Sequence, residues 1–424
     1  MKRHSVSSAV VGDSPVASPR GARGHRSVAH PAIRIRGLGL VSSYGIGVAC
    51  AVEGMRAGRT GITPLTLFSL PFQDQIQVNQ FDHAPFPPGS ACANATMKTV
   101  VQEALTEARI DGAALRDAAL VVGTSSFLFA AEADFRRTLA DTGKVVMPPL
   151  TTPGQAALHV ARQLGIEGPV LAITTACSSS ANAMLVAANL LRSGAVRRAL
   201  VIGVEGLSIG ALSGFYSLRL LDPQGCRPFD AQRNGMQLGE AVGAVLLEAD
   251  DTPHSGDYSP GNRSRDTGAS LLGGANLCDT HHMTSATPDG SAMRRVMEMA
   301  LADARLQAAD VAVIKAHATG SLDNDVAEAA AMRAMFGEKL PPFTGIKRYL
   351  GHTLGACGVV ELAAFLGCLR AGFVPSTAGF AHPDPALRIT PLTALQPAPQ
   401  GAAMLNFFGF GGNYASLLIA HGQY

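Results

Sequence analysis

Residues 168–194 read GPVLAITTACSSSANAMLVAANLLRSG. Its first part, PVLAITTA, is a short apolar run rich in β-branched side chains. The part from Ala181 onward has helical character, so the stretch predicts a strand that turns sharply into a helix. Cys177 falls at that turn. A thiol there sits beside unpaired backbone N–H groups and the positive end of a helix dipole, which favour the thiolate that attacks carbon. Free cysteines are commonly packed and inert, so the turn alone does not make a nucleophile.

Two later segments supply the companions. VAVIKAHATGSLDNDVAE (311–328) puts His317 just beyond an apolar run, and FTGIKRYLGHTLGACGVVEL (343–362) puts His352 in a Gly-bracketed turn before another helical stretch. A cysteine and two loop histidines, each following a strand-like run, point to one assembled site.

The same alternation extends in both directions. AIRIRGLGLVS (32–42), AALVVGTSS (118–126) and RALVIGVEG (198–206) read as strands, with VACAVEGMRAG (48–58) and TPGQAALHVARQLG (152–165) as helices. Beyond residue 266, ASLLGGANL (269–277) and VAVIKAHA (311–318) read as strands. SAMRRVMEMALADARL (291–306), DVAEAAAMRAMFG (325–337) and GVVELAAFLGCLRAG (358–372) read as helices, and AAMLNFFGF (402–410) with NYASLLIA (413–420) closes the chain as a strand pair. Alternating βα units predict an α/β fold with a largely parallel or mixed sheet. Two such stretches in succession suggest a duplication, divided here into residues 32–265 and 266–424. Residues 1–31, rich in Ser, Ala, Arg, Pro and Gly, read as a disordered extension and also resemble an organelle transit peptide.

Composition narrows the class. The 424 residues are 47% hydrophobic and only 16% charged, with a formal charge of +2, which argues against nucleic acid as a partner. Arg192, Glu205 and Glu361 interrupt the longest apolar runs, so none reaches the roughly 18 residues of a membrane span. Seven widely spaced cysteines without a CxxC pair indicate neither a disulfide framework nor a zinc site, and fit a reducing, cytoplasmic setting.

From about Ile33 to its end the chain resembles the β-ketoacyl-acyl carrier protein synthases of the thiolase superfamily. The likeness rests on seven blocks in order: RGLGLVSSYGIGV (36–48), GIEGPVLAITTACSSSANA (165–183), CRPFDAQRNGMQLGEAVGAVLLE (226–248), CDTHHMTSATPDG (278–290), KAHATGSLDND (315–325), GIKRYLGHTLGACGVVE (345–361) and NFFGFGGNYAS (406–416). The resemblance implies a thiolase-like duplicated five-layer αβαβα fold with its site where the halves meet. It implies decarboxylative condensation of a cysteine-bound acyl chain with a malonyl unit, in fatty-acid or polyketide/aryl-polyene synthesis. Both substrates would ride on the phosphopantetheine of an acyl carrier protein, with no separate cofactor or metal. It also implies a homodimer, or a heterodimer with a related subunit. A non-condensing partner subunit and a thiolase using free coenzyme A are the rival readings; the first typically lacks the nucleophile, and the second needs another late cysteine.

By the same resemblance Cys177 accepts the acyl group, and His317 and His352 donate to the malonyl thioester oxygen. Lys347 pairs with Glu328, with Asp325 in the same polar network. The Cys177 and Phe410 N–H groups form the oxyanion hole, Phe408, Gly409 and Phe410 form a gate, and Thr319 and Ser321 contact the pantetheine arm. His281, His282, Arg227, Asp230, Arg233 and Glu240 read as structural. Departures from the family pattern stand at Ala318, where glycine is usual, at Asn413 and Tyr414 in the gate, and at Ser125, Ser126, Phe127 and Phe129 beside the acyl pocket.

Overall fold

The computed structural model describes residues 32–72, 75–87, 89–147, 152–250 and 268–421. The extension 1–31 and the expected boundary between residues 265 and 266 lie outside them.

Ten strands form one path. They are β1 (Ile33–Ser42), β2 (Ala119–Gly123), β3 (Val170–Ile173), β4 (Arg198–Glu205), β5 (Ala241–Ala249), β6 (Ala269–Cys278), β7 (Val311–Lys315), β8 (Phe343–Thr344), β9 (Ala402–Phe408) and β10 (Asn413–Ala420). Their order is β3-β2-β4-β5-β1-β6-β10-β9-β7-β8. In the first half β2 runs parallel to β3 and β4, while β5 is antiparallel to β4 and β1. The second half repeats this with β7 parallel to β8 and β9, and β10 antiparallel to β9 and β6. The duplication is therefore explicit in the topology. The halves join where Ile33–Ile35 of β1 pair with Ala269–Leu271 of β6.

The helices that cover the sheet are α1 (Ser90–Ala108), α2 (Leu128–Thr142), α3 (Pro153–Leu164), α4 (Ser179–Arg192), α5 (Ser291–Ala304), α6 (Leu322–Phe336) and α7 (Cys357–Arg370). Strand side chains alternate between faces, and the packing follows that alternation. Ala119, Val121, Ala199 and Val201 share a core with Val313, Leu405, Phe407 and Leu417 of the other half, with α4 and α7 between them. Leu120, Val122, Leu200 and Ile202 face α1 and α3, and Ile314, Met404 and Leu418 face α5 and α6. Five layers result, as the resemblance implies.

Local sequence explains the layering. In α7, CGVVELAAFLGCLR is apolar around its circumference and nearly all buried, as a middle-layer helix must be. Gly358 lets α7 approach α4 closely, since a Cβ there would lie 2.1 Å from the Ala181 nitrogen. The outer helix α3 begins with a reciprocal cap between Thr152 and Gln155, then Pro153, and ends at left-handed Gly165.

Among the described residues four α-helical segments are absent from the expectations above: α1, α2, Ile209–Ser217 and Lys347–Leu350. SACANATMKTVVQEALTEA has no clean apolar stripe, and α2 buries little besides Ala130, so neither carries the periodicity that marks an amphipathic helix.

Candidate active site

The parallel strands of both halves aim their C-terminal ends at one place, the usual location of a site in an α/β sheet. Cys177 follows β3, His317 follows β7, Lys347 and His352 follow β8, and Phe408 ends β9. Cys177, His317, His352, Thr319, Ser321, Phe408, Gly409 and Phe410 line a single cavity of about 320 Å³.

The cysteine turn is built by its neighbours. Ala176 holds a left-handed backbone, φ 49°. Ser179 Oγ donates to the Ala176 carbonyl at 2.6 Å and accepts from the Thr175 N–H at 2.8 Å, while Ser178 Oγ donates to the Thr175 carbonyl at 2.9 Å. Asn182 Nδ2 donates to Thr175 Oγ1 at 2.8 Å. The serine run is thus the scaffold that presents Cys177 ahead of α4.

Cys177 Sγ lies 3.1 Å from His352 Nε2, and His352 Nδ1 lies 3.0 Å from Cys357 Sγ. The His317 and His352 rings meet edge to face with centroids 5.5 Å apart. Both are buried, and His317 Nδ1 has no hydrogen-bond partner among the described residues. Burial first, and then the cations Lys347 and Lys315, push both imidazoles well below the ordinary histidine range. Each is neutral at physiological pH and offers one N–H.

Burial also decides the state of the thiol. It pushes Cys177 up to about 11, although the Phe410 N–H and Lys347 pull it down. The resting group is a thiol, so desolvation outweighs the helix-terminus effect read from the sequence.

The cationic support differs from expectation. Lys347 does not pair with Glu328: its Nζ donates to Glu361 Oε1 at 2.5 Å, and Lys315 Nζ donates to Glu361 Oε2 at 2.5 Å and to the Asn406 carbonyl at 2.8 Å. All three side chains are at most 1% exposed. Two lysines sharing one carboxylate leave a net positive charge beneath the cavity. Glu328 instead accepts from the backbone N–H groups of His317 and Ala318, at 2.7 and 2.8 Å, fixing that loop. The reason is topological, because Glu361 enters from α7 between the ends of β7 and β8 while Glu328 lies on the outer helix α6. Lys315, Glu361 and Cys357 are absent from the site expected from the sequence. The signal was available in the two charges, each set within an apolar run.

Asp325 accepts from the Phe229 and Gly320 N–H groups at 2.7 and 3.2 Å, and burial raises it to about 6 despite those bonds. Thr319 and Ser321 hydroxyls are 2.9 Å apart at the cavity wall. Ala318 keeps the left-handed backbone that a glycine would adopt, φ 52°, and its methyl occupies the space that Gly345 leaves.

Gly409 presses against the cysteine turn, where a Cβ would lie 3.0 Å from the Cys177 nitrogen. Phe408 lies beside His317, ring centroids 5.9 Å apart, and Phe410 stacks on Phe215 at 5.6 Å. The two residues that depart from the family pattern tie this loop down. Asn413 Nδ2 donates to the Phe410 carbonyl at 3.1 Å, and the Tyr414 hydroxyl donates to Asp279 at 3.3 Å.

Of the residues read as structural, three make polar contacts that hold turns, whereas His282 lines the Cys177 cavity. Arg227 pairs with Asp222, Arg233 with Asp384, and Asp230 accepts the Ala381 and His382 N–H groups. His282 Nδ1 accepts from the Thr284 and Ser285 N–H groups.

Comparison with known proteins agrees with this architecture. The family model described as "Beta-ketoacyl synthase, N-terminal domain" matches residues 31–252, and "Beta-ketoacyl synthase, C-terminal domain" matches residues 269–381. Nodulation protein E of Rhizobium meliloti (strain 1021) is 30% identical, covering 90% of this chain and 97% of that protein. The chloroplastic 3-oxoacyl-[acyl-carrier-protein] synthase I of Hordeum vulgare is 29% identical over 91% of this chain and 88% of its own length. Among solved structures, "The ishigamide ketosynthase/chain length factor" aligns with a TM-score of 0.81 and 27% identity, covering 93% of this chain and all of that one. Among the described residues no helix is long and apolar enough to cross a membrane. The chain belongs to the beta-ketoacyl synthase family of carbon–carbon-bond-forming acyltransferases.

Proposed function

We propose that Cys177 takes an acyl chain from an acyl carrier protein and that His317 and His352 then drive its decarboxylative condensation with a malonyl thioester. The observation carrying this reading is the 3.1 Å approach of Cys177 Sγ to His352 Nε2 beside His317, at the base of one cavity.

In the first step Cys177 sulfur attacks the thioester carbonyl, the carrier's sulfur departs, and the proton lost by Cys177 ends on that sulfur. The net positive Lys315–Glu361–Lys347 cluster stabilises the passing thiolate. The tetrahedral oxyanion is held by the Cys177 and Phe410 N–H groups. Burial pushes Cys357 up, keeping it a thiol. It accepts from the Thr353 hydroxyl at 3.5 Å and is left to donate to His352 Nδ1, which puts the ring proton of His352 on Nε2, facing the reacting carbons.

In the second step the malonyl carboxylate leaves as carbon dioxide and the electrons settle on the thioester oxygen as an enolate. Neutral His317 and His352 each donate one N–H to that oxygen and have no ready proton for the carbon. The carbanion attacks the Cys177 thioester, the C–S bond breaks, and the departing thiolate takes a proton from solvent to restore the resting thiol. Thr319 and Ser321 face the pantetheine arm, and Phe408 and Phe410 gate the malonyl substrate. The seven free cysteines suit a reducing cytoplasm.

Identification of the β-ketoacyl product by mass spectrometry tests this. Purified chain, malonyl carrier protein and acyl carriers of varied length and unsaturation should give a product two carbons longer; saturated preference marks fatty-acid elongation, and polyunsaturated or aromatic preference a polyketide or aryl-polyene route. A folded chain that makes product only with a second subunit, even as Cys177→Ala, would make it a non-condensing partner. The name of its ketosynthase/chain length factor neighbour motivates that arm.

A further inference from the structure

A second cysteine–histidine pair lies on the outer side of the first half. Cys92 sits in the first turn of α1, with its Sγ 3.6 Å from His83 Nδ1. The other ring nitrogen, His83 Nε2, is 2.6 Å from Glu240 Oε1. Glu240 is only 2% exposed and is fixed by the Phe81 and Leu207 N–H groups, each at 3.2 Å. The Phe81 ring stacks flat on His83 at 4.2 Å. Burial works against the His83 imidazolium, but its bonds to Cys92 and Glu240 prevail and raise it to about 10. At neutral pH both ring nitrogens therefore donate, one to the carboxylate and one to the sulfur.

Cys92, His83 and Glu240 line a cavity of about 330 Å³ whose other walls include Leu67, Phe86, Phe129 and Val242. None of these residues lines the Cys177 cavity. The apolar walls suit an alkyl chain, Arg136, Arg137 and Glu205 add charged groups to the lining, and the thiol marks where the chain's reactive end would stop.

We propose that Cys92 is a second acyl-accepting thiol, loaded from acyl thioesters that enter this cavity. Cys92 sulfur attacks the thioester carbonyl, the bond to the donor sulfur breaks, and the donor leaves with the proton that Cys92 gives up. The His83 N–H, held in line by Glu240, stabilises negative charge on the attacking sulfur. The choice of an acyl thioester rests on the function proposed above; the reactivity of the thiol does not.

The test uses Cys177→Ala protein with the octanoyl thioester of N-acetylcysteamine, followed by peptide mapping. Octanoylation of Cys92 should exceed that of exposed Cys50 and Cys278 at least tenfold in the same molecules, and His83→Gln should bring it down to their rate. Cys92 reacting no faster than Cys50 and Cys278 overturns the proposal, a ratio that needs no second variant to be interpretable. In wild-type protein, a loaded Cys177 with bare Cys92 would sink only this inference, and a loaded Cys92 with bare Cys177 would sink only the function assigned to Cys177.

Discussion

The two halves share one strand order and one sequence of parallel and antiparallel pairings, yet they bring different chemistry to equivalent positions. After the third strand of each half the chain turns into a middle-layer helix; the first half places Cys177 in that turn and the second places His352. After the second strand the first half has Thr124 and Ser125, and the second has His317. Each half also buries a carboxylate that accepts backbone N–H groups of these turns. Glu205 accepts from Ser125 and Gly355, and Glu328 from His317 and Ala318. Desolvation raises both carboxyls to about 7. A duplicated scaffold therefore sets where a residue stands, and the residue alone sets what it does. In the proposed mechanism the first half supplies the nucleophile and one backbone donor, and the second supplies the side-chain donors and the cationic cluster.

Removing each half's contribution separates the two steps. Cys177→Ala is expected to abolish acyl transfer while leaving the thermal transition nearly in place; a variant that still loads acyl groups disproves the nucleophile. His317→Ala or His352→Ala should keep acyl loading and slow malonyl decarboxylation by about 10²–10³, the scale of losing an oxyanion donor. Carbon dioxide release at the wild-type rate would remove the histidines from that step.

Glu361→Gln leaves two buried lysines unneutralised and should cost about 3–5 kcal/mol of stability. Chemical denaturation reads it, and a loss under 1 kcal/mol would mean that the cluster relaxes freely. A pH comparison addresses the histidines directly. Because the folded pKa of His352 is depressed, the unfolded chain binds the extra proton below about pH 6.5, so wild type should lose stability relative to His352→Gln by about 1.4 kcal/mol per pH unit as pH falls. Above pH 7 the difference should no longer change with pH. A difference that stays flat through pH 5 would show His352 titrating normally in the fold. Taking the difference cancels the raised carboxyls Glu205 and Glu328, which favour the fold at low pH.

Smaller effects belong to the gate and the loops. Phe410→Ala should loosen the order in which acyl and malonyl substrates bind, and strictly ordered two-substrate kinetics in the variant would contradict a gating role. Ala318→Gly should shift stability by no more than about 1 kcal/mol, since it relieves a left-handed alanine at the expense of a freer unfolded chain.

Much of this was legible in the sequence because it follows from short-range pattern. Buried strands such as ALVVG and AAMLNFF, the all-round apolar α7 and the cysteine turn carry their own signals. What escaped depends on pairing across the fold. Lys347 selects Glu361 over Glu328 because both lysines converge on α7, 14 and 46 residues away in sequence. The thiol state of Cys177 likewise follows from burial, which no local motif encodes. His83 and Glu240, 157 residues apart, meet because Glu240 immediately precedes the interior strand β5 and His83 lies in the loop before α1. In the sequence Glu240 reads as a structural carboxylate, and no motif marks His83.

The central claim is that one half accepts the acyl chain and the other decarboxylates the malonyl unit. Site-resolved intact-protein mass spectrometry of acyl loading, run beside carbon dioxide release from malonyl carrier protein, measures both in wild type, His317→Ala and His352→Ala. The account predicts an acyl adduct on Cys177 in all three and release of carbon dioxide only in wild type at full rate. Loss of the Cys177 adduct in folded histidine variants, or undiminished carbon dioxide release from them, would contradict it.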